Sequence, residues 1–282
     1  MSKAVCDVCF RHCVIPEGAA GFCGGRVCKD GKVIAGNYGR VTSLAIDPIE
    51  KKPLARFNPG SLIVSVGSYG CNLRCPFCQN NSISWSDEAM RLSDRAEYIS
   101  PETLADIAKS YEKRGNIGVA FTYNEPLIGY EFVLDTARAV REHGMKNVMV
   151  TNGTAELHVL RELLPYIDAM NIDLKGFTEH YYRDVLDGSL KQVLDFIEEA
   201  ASGCHVELTT LIIPKENDSK KEMQELSSWI TSLPGGESIP LHISRFFPQF
   251  HMTDREATDI SHIYMLAETA RENLKYVYTG NC

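Results

Sequence analysis

Three cysteines, in Gly70-Cys71-Asn72-Leu73-Arg74-Cys75-Pro76-Phe77-Cys78, are the residues of this chain best suited to chemistry. They follow the apolar run Ser61 to Val66, so the C-x3-C-x2-C spacing predicts one compact thiolate nest at the end of a strand. Iron–sulfur cubanes are ordinarily held by four thiolates. Three leave one iron with an open position, as catalytic zinc sites do and closed structural sites do not. An open iron can take a small molecule. The competing reading is a partial zinc site. A loop around buried sulfurs must also offer backbone amides to them, because such hydrogen bonds tune the potential of a cluster.

A second thiol group lies at the N terminus: Cys6, Cys9, Cys13 and Cys23, with Cys28 beyond. Residues 1–36 are too few to bury a core of their own, so a small metal-held module is predicted there. Four ligands with no open position suit structural zinc or rubredoxin-like iron. A second iron–sulfur cluster and free thiols are the alternatives, and Cys28 could replace one ligand. Residues 37–60 form a connector punctuated by Pro48, Pro53 and Pro59, with Glu50-Lys51-Lys52 inside it. Proline fixes φ and removes a donor, which predicts an ordered but irregular arm. Either it packs the module onto the main domain or it lines a substrate mouth.

To position the nest, residues 61–282 must supply a scaffold. Apolar strand-like runs recur at Ser61–Val66, Gly118–Thr122, Asn147–Thr151, Ala169–Leu174, His205–Ile213, Leu241–Phe247 and Tyr276–Tyr278. Between them Leu104, Ile107, Ala108 and Tyr111 fall at helical spacing, as do Tyr130, Val133, Leu134 and Ala137. Val193, Phe196, Ile197 and Ala200 repeat it, and so do Ile260, Ile263, Tyr264 and Ala267. Ser100-Pro101 reads as N-cap and first turn of one helix, and Thr253 with Glu256 as a capping box for the last. Strand–helix alternation predicts an α/β fold with parallel strands, closed part-way into a barrel or open and doubly wound. Ligands then belong at the carboxyl ends of the strands, where the nest lies.

The residues after each strand are polar. They are Asn124 and Glu125 before Pro126, Asn152 before Gly153, Asp173 and Lys175 two apart, and His242, Ser244 and Arg245. Charges inside a barrel need partners, so a structural ion pair at Asp173–Lys175 and a helix cap at Glu125 are the plain readings. Cys204 reads as a small buried hydrophobe, and His143, His158 and His180 as surface residues.

The 282 residues carry 44% apolar and 23% charged side chains, ordinary for a globular protein with one large domain. A net charge of −8 argues against nucleic acid or an acidic membrane as partner. No run approaches the length of a transmembrane helix and no signal peptide is evident. Clustered thiols suit metal ligation in a reducing compartment, so a cytoplasmic protein is expected.

The cysteine spacing is that of the radical S-adenosylmethionine (SAM) superfamily. The resemblance implies a partial (β/α)6 barrel and a [4Fe–4S] cluster on Cys71, Cys75 and Cys78. It further implies that SAM chelates the open iron and is cleaved reductively to methionine and a 5′-deoxyadenosyl radical. The main domain resembles the pyruvate formate-lyase activating enzymes, whose Gly-Gly-Glu-Pro tract binds the SAM amino group. Here Asn124-Glu125-Pro126 stands in that place without the glycines. Their Asp-Leu-Lys tract matches Asp173-Leu174-Lys175, and Val150-Thr151-Asn152-Gly153 replaces Asp-Thr-Asn-Gly. A fuller resemblance is to the radical SAM member of the AmmeMemoRadiSam system. It rests on the N-terminal cysteines, Tyr38-Gly39-Arg40-Val41, Asp47-Pro48-Ile49-Glu50-Lys51-Lys52-Pro53-Leu54, Cys78-Gln79-Asn80 and His242-Ile243-Ser244-Arg245-Phe246. These resemblances imply Asn124, Glu125, Asn152, Asp173, Lys175 and His242 around SAM, and Arg245, with its planar fork, on an anionic substrate group. Hydrogen abstraction from a substrate is the expected activity. Activation of a glycyl-radical protein is one alternative, and a non-catalytic iron–sulfur or zinc scaffold is another. A reductant such as ferredoxin or flavodoxin, and companion proteins of that system, are the expected partners.

Overall fold

The computed structural model describes residues 2–93 and 96–282 and opens with two antiparallel hairpins. In them β1 (Lys3–Val5) pairs with β2 (Val14–Pro16) and β3 (Arg26–Lys29) with β4 (Lys32–Ala35). Next come β5 (Arg40–Val41), β6 (Ser43–Pro48) and β7 (Leu62–Gly67), then two short helices, α1 (Asn81–Ser84) and α2 (Asp87–Leu92). β8 (Glu97–Tyr98) pairs back on β5. Alternation follows: α3 (Pro101–Ser110), β9 (Asn116–Phe121), α4 (Tyr130–Glu142), β10 (Lys146–Thr151), α5 (Leu157–Leu163) and β11 (Ala169–Asp173). It continues with α6 (Leu190–Ala201), β12 (His205–Ile212), α7 (Lys220–Ser232), β13 (Leu241–Arg245), α8 (Ile260–Arg271) and β14 (Val277–Gly280).

The main sheet runs in the order β14-β13-β12-β11-β10-β9-β7-β6. All neighbours are parallel except β6, which is antiparallel to β7 on the edge. Each new parallel strand is laid beside the last in one direction, so right-handed crossovers put every helix on the same face. The other face becomes the lumen of an open barrel. The expected partial (β/α)6 architecture is what the chain forms, with β14 as a further parallel strand.

Side-chain parity divides the two faces. Val119, Phe121, Met170, Ile172, Leu208 and Ile243 belong to the large core under the helices. Their neighbours Ile63, Ala120, Val148 and Ala169 pack in a smaller cluster with Ile49 and Leu54, on the lumen side. Phe196 of α6 is fully buried in the large core, a burial that contributes about 2 kcal/mol.

Two expectations change. The connector is not wholly irregular, because Ser43–Pro48 forms β6, with Pro48 opposite Leu62 at the strand's outer end. An edge strand tolerates proline because one side of it has no ladder to break. Ile49 and Leu54 then seal the base of the barrel, away from the carboxyl ends of the strands. The capping box is also misplaced. α8 starts at Ile260, and Asp259 caps it by accepting from the Ser261 and His262 amides. Ser100 does cap α3, accepting from the Thr103 amide, with Pro101 in the first turn. The helices α5 and α7 carry weaker signals. One is seven residues long, and the other places Ser227 among Met223, Leu226 and Ile230 on its buried stripe.

Candidate active site

The loop after β7 carries Cys71, Cys75 and Cys78, all free thiols. Gly70 makes the turn with φ +96, and a Cβ there would lie 2.7 Å from the Cys23 carbonyl oxygen. The Leu73 amide lies 3.5 Å from Cys71 Sγ, and Asn152 Nδ2 lies 3.8 Å from it. Cys78 Sγ lies 3.4 Å from Ser84 Oγ. The Cys71 thiol is pushed well up by burial, with the Glu125, Cys75 and Cys78 charges adding to it. Burial takes Cys75 to about 11, opposed by Lys175 and reinforced by Cys78 and Asp173. Such buried thiols become ligating thiolates only with a cation beside them. The donor set of three converging soft thiols with N–H groups aimed at sulfur therefore fits a thiolate-held iron–sulfur cluster. Among the described residues no group of three or more His, Cys, Asp or Glu side chains closes around a single metal ion. The three thiols of a cubane each bind a different iron.

The expected strand-end residues of β9, β10 and β11 come together beside this loop. Asn124 accepts from the Ser68 amide at 3.0 Å and donates to the Tyr69 and Gly70 carbonyls at 3.2 Å, which clamps the approach to Cys71. Glu125 is 2% exposed. Its carboxylate accepts from Thr151 Oγ1 at 2.7 Å, from the Asn152 amide at 2.8 Å and from the Leu127 amide at 3.0 Å. The last of these is a cap on the 3-10 turn Pro126–Gly129, as the plain reading held. Burial raises the Glu125 pKa to about 7; the three donors oppose this and the Asp173 charge adds to it. Asn152 Nδ2 also donates to Asn72 Oδ1 at 3.0 Å.

Asp173 ends β11, and its Oδ2 lies 2.7 Å from Lys175 Nζ. Burial works against the lysine charge, but Asp173 and Cys75 outweigh it and hold the pKa well above the ordinary value. The ion pair is thus real, and its lysine is close enough to Cys75 to feel its charge.

His242 and Arg245 are not brought to this group. His242 lies early in β13, with Nε2 2.6 Å from Glu207 Oε2 and its ring stacked on Tyr278 at 5.2 Å. Arg245 shares the parity of Ile243, and its Nε donates to the Thr258 carbonyl at 2.6 Å. Its guanidinium lies 4.7 Å from the Phe247 ring centre. The loop that follows reaches back instead. The His251 amide donates to the Pro76 carbonyl at 2.8 Å and Gln249 Nε2 to the Phe77 carbonyl at 2.7 Å.

Sequence reasoning missed the lumen. Glu207 is fully buried and also holds His205 at 3.0 Å and the Ala55 and Arg56 amides at 3.0 and 2.7 Å. Asn171 donates to the Pro53 carbonyl at 2.9 Å and accepts from Thr209 at 2.9 Å. Asp47 takes Lys52 at 2.8 Å and the Tyr123 hydroxyl at 2.7 Å. The available signal was a polar residue at every second position of an apolar strand, as in His205, Glu207 and Thr209.

The model of the radical SAM superfamily matches residues 65–227, more than half of the chain. An uncharacterized protein of Methanocaldococcus jannaschii is 42% identical over 99% of this chain and 82% of its own length. The pyruvate formate-lyase-activating enzyme of Clostridium pasteurianum is 26% identical over 61% of this chain and 71% of its own. Among solved structures, a domain of the pyruvate-formate lyase-activating enzyme from Bacteroides vulgatus superposes with TM-score 0.50 at 19% identity. It covers 58% of this chain and 99% of that one. SuiB of Streptococcus suis bound to SAM superposes with TM-score 0.57 at 15% identity, over 75% of this chain and 48% of SuiB. The protein, with a thiolate nest at the carboxyl end of a parallel strand, belongs to the radical SAM superfamily, the enzymes that use a [4Fe–4S] cluster and SAM.

Proposed function

We propose that Cys71, Cys75 and Cys78 hold the cluster, and that Asn124, Glu125, Asn152, Asp173 and Lys175 hold SAM beside it. The observation that carries this reading is Glu125. It is a buried carboxylate next to the thiol nest whose three partners are a hydroxyl and two amides, none of them a cation. An uncompensated buried carboxylate favours a cationic ligand, and SAM brings an ammonium and a sulfonium. Lys175, already paired with Asp173, faces Cys75 and suits the carboxylate end of the same molecule. Bound there, the cluster and SAM supply one-electron cleavage of a carbon–sulfur bond and hydrogen abstraction from a substrate. The protein positions the two and excludes water; the chemistry belongs to the cofactor. The substrate enters the lumen toward β12 and β13, where Thr209, His242 and Ser244 share the inward parity.

Activation of a glycyl-radical protein is a second reading, supported by similarity to the activating enzymes of pyruvate formate-lyase and of (2S)-3-sulfopropanediol dehydratase. The long strings around Asp47–Leu54 and His242–Phe246 support placement in the AmmeMemoRadiSam group, with its companion proteins as partners. A ferredoxin or flavodoxin is the proposed reductant. The test is anaerobic reconstitution with SAM and dithionite, with 5′-deoxyadenosine as the readout. Wild-type protein is expected to form it and Cys75→Ala protein to form none. Full production by Cys75→Ala would sink the assignment.

A further inference from the structure

Cys6, Cys9, Cys13 and Cys23 line one small cavity, and the Cys23 carbonyl accepts from the Cys71 amide of the cluster loop at 3.1 Å. Among the described residues no such group closes around a metal ion, so the expected metal-held module is not formed by these thiols as placed. The Arg26 charge beside them is taken up by Glu131 at 2.7 Å. The unmatched polar group of this region comes instead from the segment after β11.

There Tyr181 and Tyr182 open a single π-helical turn, Tyr181–Val185, a rare conformation that recurs at functional sites. Tyr181 is 1% exposed and Tyr182 fully buried, and their rings meet edge to face with centroids 6.4 Å apart. Gly176 makes room for the first ring, since a Cβ there would lie 2.6 Å from Tyr181 Cδ1. The turn is tied to the cluster loop. The Arg74 amide donates to the Leu186 carbonyl at 3.0 Å, and the Arg11 side chain bridges the Asn72 and Asp187 carbonyls.

The two neighbouring hydroxyls differ. Tyr182 Oη accepts from the Lys175 amide at 3.0 Å and so steadies the Asp173-Leu174-Lys175 tract. Tyr181 Oη is buried and has no hydrogen-bond partner among the described residues. Buried tyrosine hydroxyls ordinarily find one, and leaving one without is costly. Of the charges that act on Tyr181, Cys75 acts most strongly. Lys175 is next and, as an ammonium, has no lone pair to accept with. Glu216 acts more weakly and is engaged by Arg255. Burial, with the Cys75 charge adding to it, holds the phenol well above its ordinary pKa, so the oxygen keeps its proton and can donate.

We propose that Tyr181 donates a hydrogen bond to the cluster at its Cys75 corner and thereby raises the cluster's reduction potential. Reduction adds negative charge to the sulfurs, so a donor there stabilises the reduced form more than the oxidised one. The inference rests on the assignment of the cluster to Cys71, Cys75 and Cys78, and the test separates the two. Wild-type and Tyr181→Phe proteins are reconstituted anaerobically without SAM. The reduced cluster is then followed by electron paramagnetic resonance through a redox titration. Tyr181→Phe removes only the hydroxyl, and its reduction equilibrium should fall about tenfold, or ~59 mV for one electron. Urea unfolding of the two apoproteins supplies the control that a merely structural hydroxyl would fail. Tyr181→Phe should unfold at the same midpoint or a higher one, because it buries one unpaired oxygen fewer. Equal potentials overturn the proposal. So does a lowered apoprotein midpoint, which would show that the hydroxyl already has a partner within the protein. Should Tyr181→Phe fail to load the cluster, the titration is read on protein carrying 3-fluorotyrosine in place of Tyr181. Its more acidic hydroxyl donates more strongly, so the potential should rise, and an unchanged potential overturns the proposal. A wild-type protein that forms no cluster overturns the cluster assignment itself, and the role of Tyr181 with it.

Discussion

Glu125, in the turn that follows β9, and Glu207, within β12, are both buried carboxylates, and their surroundings drive them in opposite directions. Burial raises Glu125 to about 7, because its donors are neutral and Asp173 is near. Glu207 is lowered to about 2, because the His205 and His242 hydrogen bonds and the Arg56 and Ala55 amides outweigh its burial. In the far half of the barrel the buried acid is thus already matched, by His205, His242 and two backbone amides. The cluster half keeps an acid without a cation. A site awaiting a charged ligand carries such an imbalance before the ligand arrives.

The comparison can be broken most sharply at Glu207. Glu207→Ala strands two histidines and two amides, and should cost about 3–5 kcal/mol of stability, read from the urea midpoint. A loss below about 1 kcal/mol would mean that the network is slack. The native acid sensitivity follows with a definite sign. A lowered pKa gives stability that is present above the ordinary carboxylate value and lost as pH falls toward about 2.

The next effect belongs to Glu125→Gln, which should weaken SAM binding by about 1.5–3 kcal/mol through loss of a charge-assisted hydrogen bond. Here the sign reverses. The folded protein keeps this proton where the unfolded chain has lost it, so the group's contribution to stability falls as pH rises toward about 7. SAM affinity should rise over the same interval, because the ligand's positive charge favours the ionised form. A titration calorimetry series across pH would show that slope in wild type and its loss in Glu125→Gln. An identical slope in both proteins assigns the titration to another group.

Lys175→Ala should cost about 1–3 kcal/mol in SAM affinity, the same measurement made at one pH. The smallest effect is expected at Arg245→Ala, where SAM cleavage should stay within about twofold, as for a side chain outside the site. If 5′-deoxyadenosine production collapses in Arg245→Ala, the division of the barrel into a cofactor half and a substrate half is wrong.

What the sequence by itself determined is local. Thiol spacing in Cys71-x3-Cys75-x2-Cys78, strand–helix alternation and the Ser100-Pro101 start of α3 depend on residues a few positions apart, and each is present as read. Proximity of Asn124, Glu125, Asn152 and Asp173 to the nest followed from chain order, because parallel strands are laid down beside their predecessors. Tertiary structure decided the rest. Glu207 meets Arg56 151 residues away, and Asn72 meets Thr154 82 residues away. Neither pairing leaves a periodic trace, because the partner is chosen by barrel closure and by docking of the N-terminal hairpins. The base seal from Ile49 and Leu54 escaped for a related reason. Its prolines mark where the chain cannot be helical, and only the empty underside of a curled sheet decides where such a segment packs.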